Sequence, residues 1–257
     1  MEYVTIILAA FIVSALTLFS GFGLGTLLMP AFALFFPVET AIAATAIVHF
    51  SNNIFKGILL GRDADRSILL RFGLFAAAAS FTGAIVLELI SHIPPVGSYY
   101  LWGRMAVVSP VKLVLGFVML LFALFELSDK LQNIKMEKQH FYLGGLLSGF
   151  FGGLSGHQGA LRSMFLLHAG LNKQQYIATG VMIAIIIDIA RLIVYGAGII
   201  PESITEIPGL IIAGVIAALA GTVIGTRLIK KVTFTSIRYI TAGLLLIIAV
   251  ALGMGMI

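Results

Sequence analysis

Gly149-Phe-Phe-Gly-Gly-Leu-Ser-Gly-His-Gln-Gly159 lies in the middle of an apolar run, 141–170, and its reading decides how the chain is threaded. Glycine costs about 1 kcal/mol relative to alanine in a helix interior. Five glycines among these eleven residues therefore predict a broken helix rather than a continuous one. Two halves of about 15 residues would each reach about 22 Å at 1.5 Å per residue. That falls short of the ~30 Å hydrocarbon core of a bilayer. The run is expected to enter and leave a membrane on the same side, as a re-entrant hairpin.

A membrane is required by composition. Of the 257 residues, 60% are hydrophobic and 11% charged, and the mean hydropathy is +1.10. Soluble domains hold about 45–50% apolar and about 25% charged residues, because a globule must cover itself with polar groups. Apolar runs at about 4–36, 41–60, 67–91, 106–128, 141–170, 175–200, 207–229 and 236–257 make eight segments and leave no room for a soluble domain. Met1 to Ser20 carries only Glu2 as a charge and is expected to belong to the mature protein. With no cysteine, disulfides and thiolate metal sites are excluded. The net charge of +5 sits mostly in loops, where it reports orientation rather than nucleic-acid binding.

Basic loops lie on the cytoplasmic side. Lys56, Arg62, Arg66 and Arg71 place 56–71 inside, Lys130, Lys135 and Lys138 place 129–140 inside, and Arg227, Lys230, Lys231 and Arg238 do the same for 227–238. Eight simple spans cannot satisfy all three loops. A hairpin at 141–170 removes the conflict. The run 4–36, interrupted at Ser20-Gly-Phe-Gly-Leu-Gly25, has the same anatomy. Shifting the chain by 134 positions places Ser14 on Ser148, Gly25 on Gly159, Ala44 on Ala178 and Thr45 on Thr179. The expected fold is an all-α polytopic membrane protein of two inverted-topology repeats, each a broken re-entrant hairpin plus three transmembrane helices, with eight simple spans as the alternative. Residues 1–128 form the first repeat, 129–140 a cytoplasmic connector and 141–257 the second repeat. Carriers of this plan bind substrate near the midplane, at broken helices.

Gly21-Phe-Gly-Leu-Gly-Thr-Leu-Leu-Met-Pro30 with Ala43-Ala-Thr45, and Gly152-Gly-Leu-Ser-Gly-His-Gln-Gly-Ala-Leu-Arg162 with Ala178-Thr-Gly180, resemble the two halves of the TauE/SafE family of sulfite and organosulfur-anion exporters. The resemblance covers nearly the whole chain. It implies a proton-coupled carrier, in the cell inner membrane, for small anions such as sulfite, sulfoacetate or thiosulfate. Two departures stand out. His157-Gln158-Gly159 makes the second half-site more polar than the usual glycine-dense pattern. The related thiosulfate permeases are expected to use cysteines along their path, and this chain has none, which argues against a sulfur relay.

Ionisable groups within spans are functional candidates, because hydrocarbon penalises them unless they are paired or face water. Arg162 follows the break, where a helix start favours anions and a guanidinium matches an oxyanion with two parallel donors. Snorkelling, or pairing with Asp188, is the alternative. His157, Gln158 and Gly159 occupy the break itself, either as ligands or as ties for its free carbonyls. Ser20, Gly21, Gly23, Gly25 and Thr26 would offer donors from the first hairpin, unless these glycines serve close packing alone. His49, Asn52 and Asn53 share a polar face expected to line the cavity. Asp188 and Arg191, three apart on one helix face, are expected to pair; with His49 they are the candidates for proton coupling. Tyr99, Tyr100 and Trp102 suggest an interfacial belt.

The expected function is secondary transport of a small sulfur oxyanion, outward, by alternating access, with lipid and the anion as partners, no cofactor and no metal. Homo-oligomerisation stays open. So do an uptake permease, a channel for another small anion, an intramembrane enzyme and an assembly protein. No HExxH, paired catalytic aspartates or GxSxG supports an enzyme, and no long polar loop supports an assembly role.

Overall fold

The computed structural model describes residues 1–17, 24–132, 138–198, 204–228 and 234–257. It is a helical membrane protein. Ten helices are used below: α1 (Glu2–Thr17), α2 (Leu24–Ala33), α3 (Val38–Leu60), α4 (Arg66–Ser91) and α5 (Pro110–Leu127), then α6 (Phe141–Ser155), α7 (Gly159–Leu167), α8 (Lys173–Ala197), α9 (Pro208–Leu228) and α10 (Phe234–Gly253). Ser20, Gly21 and Gly23 of the first break lie outside the described residues, as do Lys135, Lys230 and Lys231.

Local chemistry sets the helix ends. Asn172 caps α8 through a reciprocal pair with Gln175, its Oδ1 accepting from Gln175 N at 2.9 Å. Ser109 caps α5, with Pro110 as the first helical residue. The Asp65 carboxylate accepts from Ile68 N at 3.0 Å to start α4, which then passes through a π turn at Leu69–Gly73.

Among the described residues, α4, α5, α8 and the stretch Pro208–Gly225 of α9 are long and apolar enough to cross a bilayer. α3 has the length, at 23 residues, but carries His49, Asn52, Asn53 and Lys56, all buried. α6 and α7, of 15 and 9 residues, are each too short for a ~30 Å core.

The packing is paired. α6 lies on α4, α1 on α9, α5 on α10 and α3 on α8. The first contact is very close because Gly145, Gly149 and Gly153 recur every four residues along α6. A Cβ at each would meet the carbonyl oxygen of Phe72, Ala76 or Ser80 on α4. Gly221 and Gly225 of α9 stand likewise against the carbonyls of Phe11 and Ala15 on α1. Small residues at four-residue spacing are how helices associate where lipid supplies no hydrophobic drive.

One element departs from an all-helical plan. Gly97–Leu101 pairs antiparallel with Arg104–Val108. The two turn residues, Trp102 and Gly103, both have positive φ, 49° and 76°, the mirror-image turn that suits strand twist. Tyr100 and Trp102 are exposed there. Tyr99 Oη donates to Met254 O at 2.7 Å, which docks the hairpin on the end of α10.

Candidate functional site

The break between α6 and α7 forms where expected. Gly156 ends α6 with φ 81°, a left-handed conformation that suits glycine, and its N–H returns to Gly152 O. Ser148 Oγ donates to Gln158 O at 2.8 Å, tying the far side of the break back to α6. Gly25, in the first turn of α2, lies against this turn. A Cβ there would stand 3.3 Å from Gly156 O and 3.5 Å from His49 Cδ2. The start of α2 and the end of α6 therefore meet beside α3. Thr26 is buried next to Gly25.

Asp188 on α8 is fully buried and organises the polar side chains here. Its Oδ1 accepts from Arg191 Nε at 3.0 Å, Arg191 Nη2 at 2.7 Å and Gln158 Nε2 at 3.1 Å. Its Oδ2 lies 2.7 Å from His49 Nδ1 and accepts from Asn53 Nδ2 at 3.3 Å. A carboxylate is acceptor-only, so the imidazole places its proton on Nδ1. Two helices and the break thus converge on one carboxylate. A buried charge needs such company, because an unpaired one costs several kcal/mol.

Arg162, in the first turn of α7, is also buried. Its Nη1 donates to Gln158 Oε1 at 2.9 Å, while Asp188 takes Arg191. Gln158 is therefore a bridge, its oxygen on Arg162 and its nitrogen on Asp188. The described contacts join Arg162 to Asp188 through this amide.

Two candidates sit apart from that cluster. Asn52 turns toward α1 and α9, its Nδ2 donating to Ser14 Oγ at 3.3 Å and its Oδ1 accepting from Thr222 Oγ1 at 2.7 Å. His157 stacks on Phe122 with ring centroids 5.5 Å apart. Its Nδ1 lies 2.9 Å from Ser155 Oγ, and among the described residues its Nε2 has no partner. Gly159 is buried as the first residue of α7.

Three contributors were missed. Tyr195 Oη donates to Gly153 O, holding α8 to the end of α6. Ser148 was seen only as a repeat match. Lys56, counted as a loop charge, is buried within α3 at 6% exposure. Its spacing of seven from His49 and four from Asn52 could have revealed this, since such spacings share a helix face.

Residues 6–252 match the family model described as sulfite exporter TauE/SafE. The chain belongs to the TauE/SafE family. No curated protein and no solved structure matches it. A TauE/SafE assignment over nearly the whole chain makes this a multi-pass protein of a membrane-transporter family. Around Asp188 the TauE/SafE chain gathers the Arg191 guanidinium, the His49 imidazole and the amides of Gln158 and Asn53, with Arg162 joined through Gln158.

Proposed function

We propose that this chain exports a small sulfur-containing oxyanion, sulfite or a sulfonate such as sulfoacetate, across the cell inner membrane by alternating access. The observation that carries this reading is the meeting of two helix ends, at Gly25 and Gly156, beside a buried cluster richer in cations than in carboxylates. The anion takes the Arg162 N–H groups now given to Gln158, and the start of α7 adds backbone donors. Gln158, released from Arg162, remains on Asp188. Arrival of the anion is thereby felt at the His49–Asp188 pair, which carries the coupled proton.

Alternation of access follows from an inverted repeat, in which α1–α2 and α6–α7 are the two re-entrant hairpins. The packing supports this reading. Exchanging α1 with α6, α2 with α7, α3 with α8, α4 with α9 and α5 with α10 turns the α1–α9 contact into the α6–α4 contact. The same exchange leaves α3–α8 and α5–α10 as they are. The end bearing Arg62, Arg66 and Arg71 faces the cytoplasm.

The test is sulfite flux in proteoliposomes, with and without a pH gradient. The wild type is expected to show saturable flux that responds to the gradient. Arg162→Ala is expected to lose at least about 100-fold of it, a loss of roughly 2.7 kcal/mol, while remaining folded. Undiminished flux in that variant overturns the proposed site.

A further inference from the structure

Lys56 has no part in the mechanism above, and it is the least expected charge in the protein. It lies on α3 one turn beyond Asn52 and Asn53, buried to 6% exposure. Withdrawing an ammonium from water costs several kcal/mol unless something compensates it. Among the described residues no carboxylate pairs with Lys56. The charge whose field reaches it is that of Arg162, another cation. Asp188, the carboxylate of the cluster, is already met by Arg191 and His49.

The surroundings hold Lys56 in place. The next residue, Gly57, is pressed on α8, where a Cβ would stand 2.9 Å from Ile185 Cδ1. Arg162 lies against the same helix, its Nε 3.6 Å from where a Cβ of Gly180 would be. Gly180 is about two turns from Asp188 along α8, toward the end where Asp65 N donates to Thr179 Oγ1 at 2.9 Å. The turn of α3 bearing Lys56 and the Arg162 side chain thus both lie against the 180–185 stretch of α8, on the Thr179 side of Asp188. Two neighbouring buried cations repel, and an anion drawn between them relieves both. The two heads are complementary: a planar fork for a pair of oxygens, and a compact point charge for another.

We propose that Lys56 is a substrate-binding residue which, with Arg162, selects a doubly charged oxyanion over a singly charged one. The proposal rests on the oxyanion-carrier reading. Two positive charges match a dianion and leave half the attraction unused by a monoanion.

The experiment is competition against labelled sulfite flux by the full chain in proteoliposomes. Thiosulfate and sulfoacetate serve as dianions, methanesulfonate as a monoanion. Dianions are expected to compete at least about tenfold better than methanesulfonate in the wild type. Lys56→Gln is expected to remove most of that advantage, weakening the dianions by a larger factor than methanesulfonate, and Lys56→Arg to keep it. Equal losses for both classes in Lys56→Gln, or none, would overturn the proposal. If Lys56→Gln fails to fold, the wild type and Lys56→Arg in detergent decide: thiosulfate must raise the melting temperature more than methanesulfonate, and an equal effect refutes the idea. Wild-type protein that moves no sulfur oxyanion defeats the carrier reading and this inference with it. Sulfite flux without a dianion preference defeats the Lys56 role alone.

Discussion

Replacing Asp188 by Asn keeps the side-chain shape and removes one buried charge, so its effect isolates electrostatics from packing. The amide oxygen can occupy the Oδ1 position and still accept from Arg191 and Gln158, which lie 2.7 to 3.1 Å away. The amide nitrogen then faces His49 Nδ1, and the imidazole adapts by moving its proton to the other nitrogen. What cannot adapt is Arg191, 1% exposed and left without its counter-charge. Breaking a buried pair by removing one partner costs about 3–5 kcal/mol, most of it from the uncompensated charge that remains. Asp188→Asn should therefore lower the unfolding free energy by about that amount. Asp188→Asn with Arg191→Gln should recover most of it, because the orphaned guanidinium is gone. The assay is denaturant titration of the purified protein in mixed micelles, followed by circular dichroism. A single variant within about 1 kcal/mol of wild type, or a double variant no better than the single one, would refute the view that Arg191 is held by Asp188.

Other perturbations separate framework from site. Asn52→Ala should cost about 1–3 kcal/mol in the same titration, since it strands buried Ser14 and Thr222 hydroxyls; the KM for sulfite in the folded fraction should be unchanged. Gly149→Ala places a methyl on the Ala76 carbonyl, and should sharply reduce the monodisperse fraction on size exclusion, whereas Gly97→Ala, with open space around it, should not. In a chain with no native cysteine, Gln174→Cys should be labelled from the cytoplasmic side, because its helix start adjoins the Arg62–Asp65 segment through Thr179; labelling from the outside would remove the second hairpin.

What was legible in the sequence was whatever the chain states locally. The break at Gly156 could be read because glycines at close spacing weaken a helix wherever it sits, and the i,i+3 pairing of Asp188 with Arg191 because a helix brings such residues together regardless of the fold. The union of His49 with Asp188 could not be read in the same way. The two lie 139 residues apart, and only the packing of α3 on α8 brings them within 2.7 Å. Asn52 and Asn53 show the limit of a helical face: neighbours separated by about 100° around the axis end on different partners, one in the framework between α1 and α9, the other on Asp188. Lys56 was misread for a reason specific to membranes. Counting basic residues near the end of an apolar run assigns the cytoplasmic side, and the same count cannot tell an ammonium that has reached water from one turned inward. The hairpin at Gly97–Val108 was hidden because its turn demands positive φ at Trp102, which a residue other than glycine does not announce. The residues that escaped reading are thus those whose role depends on a second element. In a protein built from paired helices, that is where the buried polar groups gather: Asp188 is met by α3, by the α6–α7 break and by its own helix, and no single segment contains the candidate site.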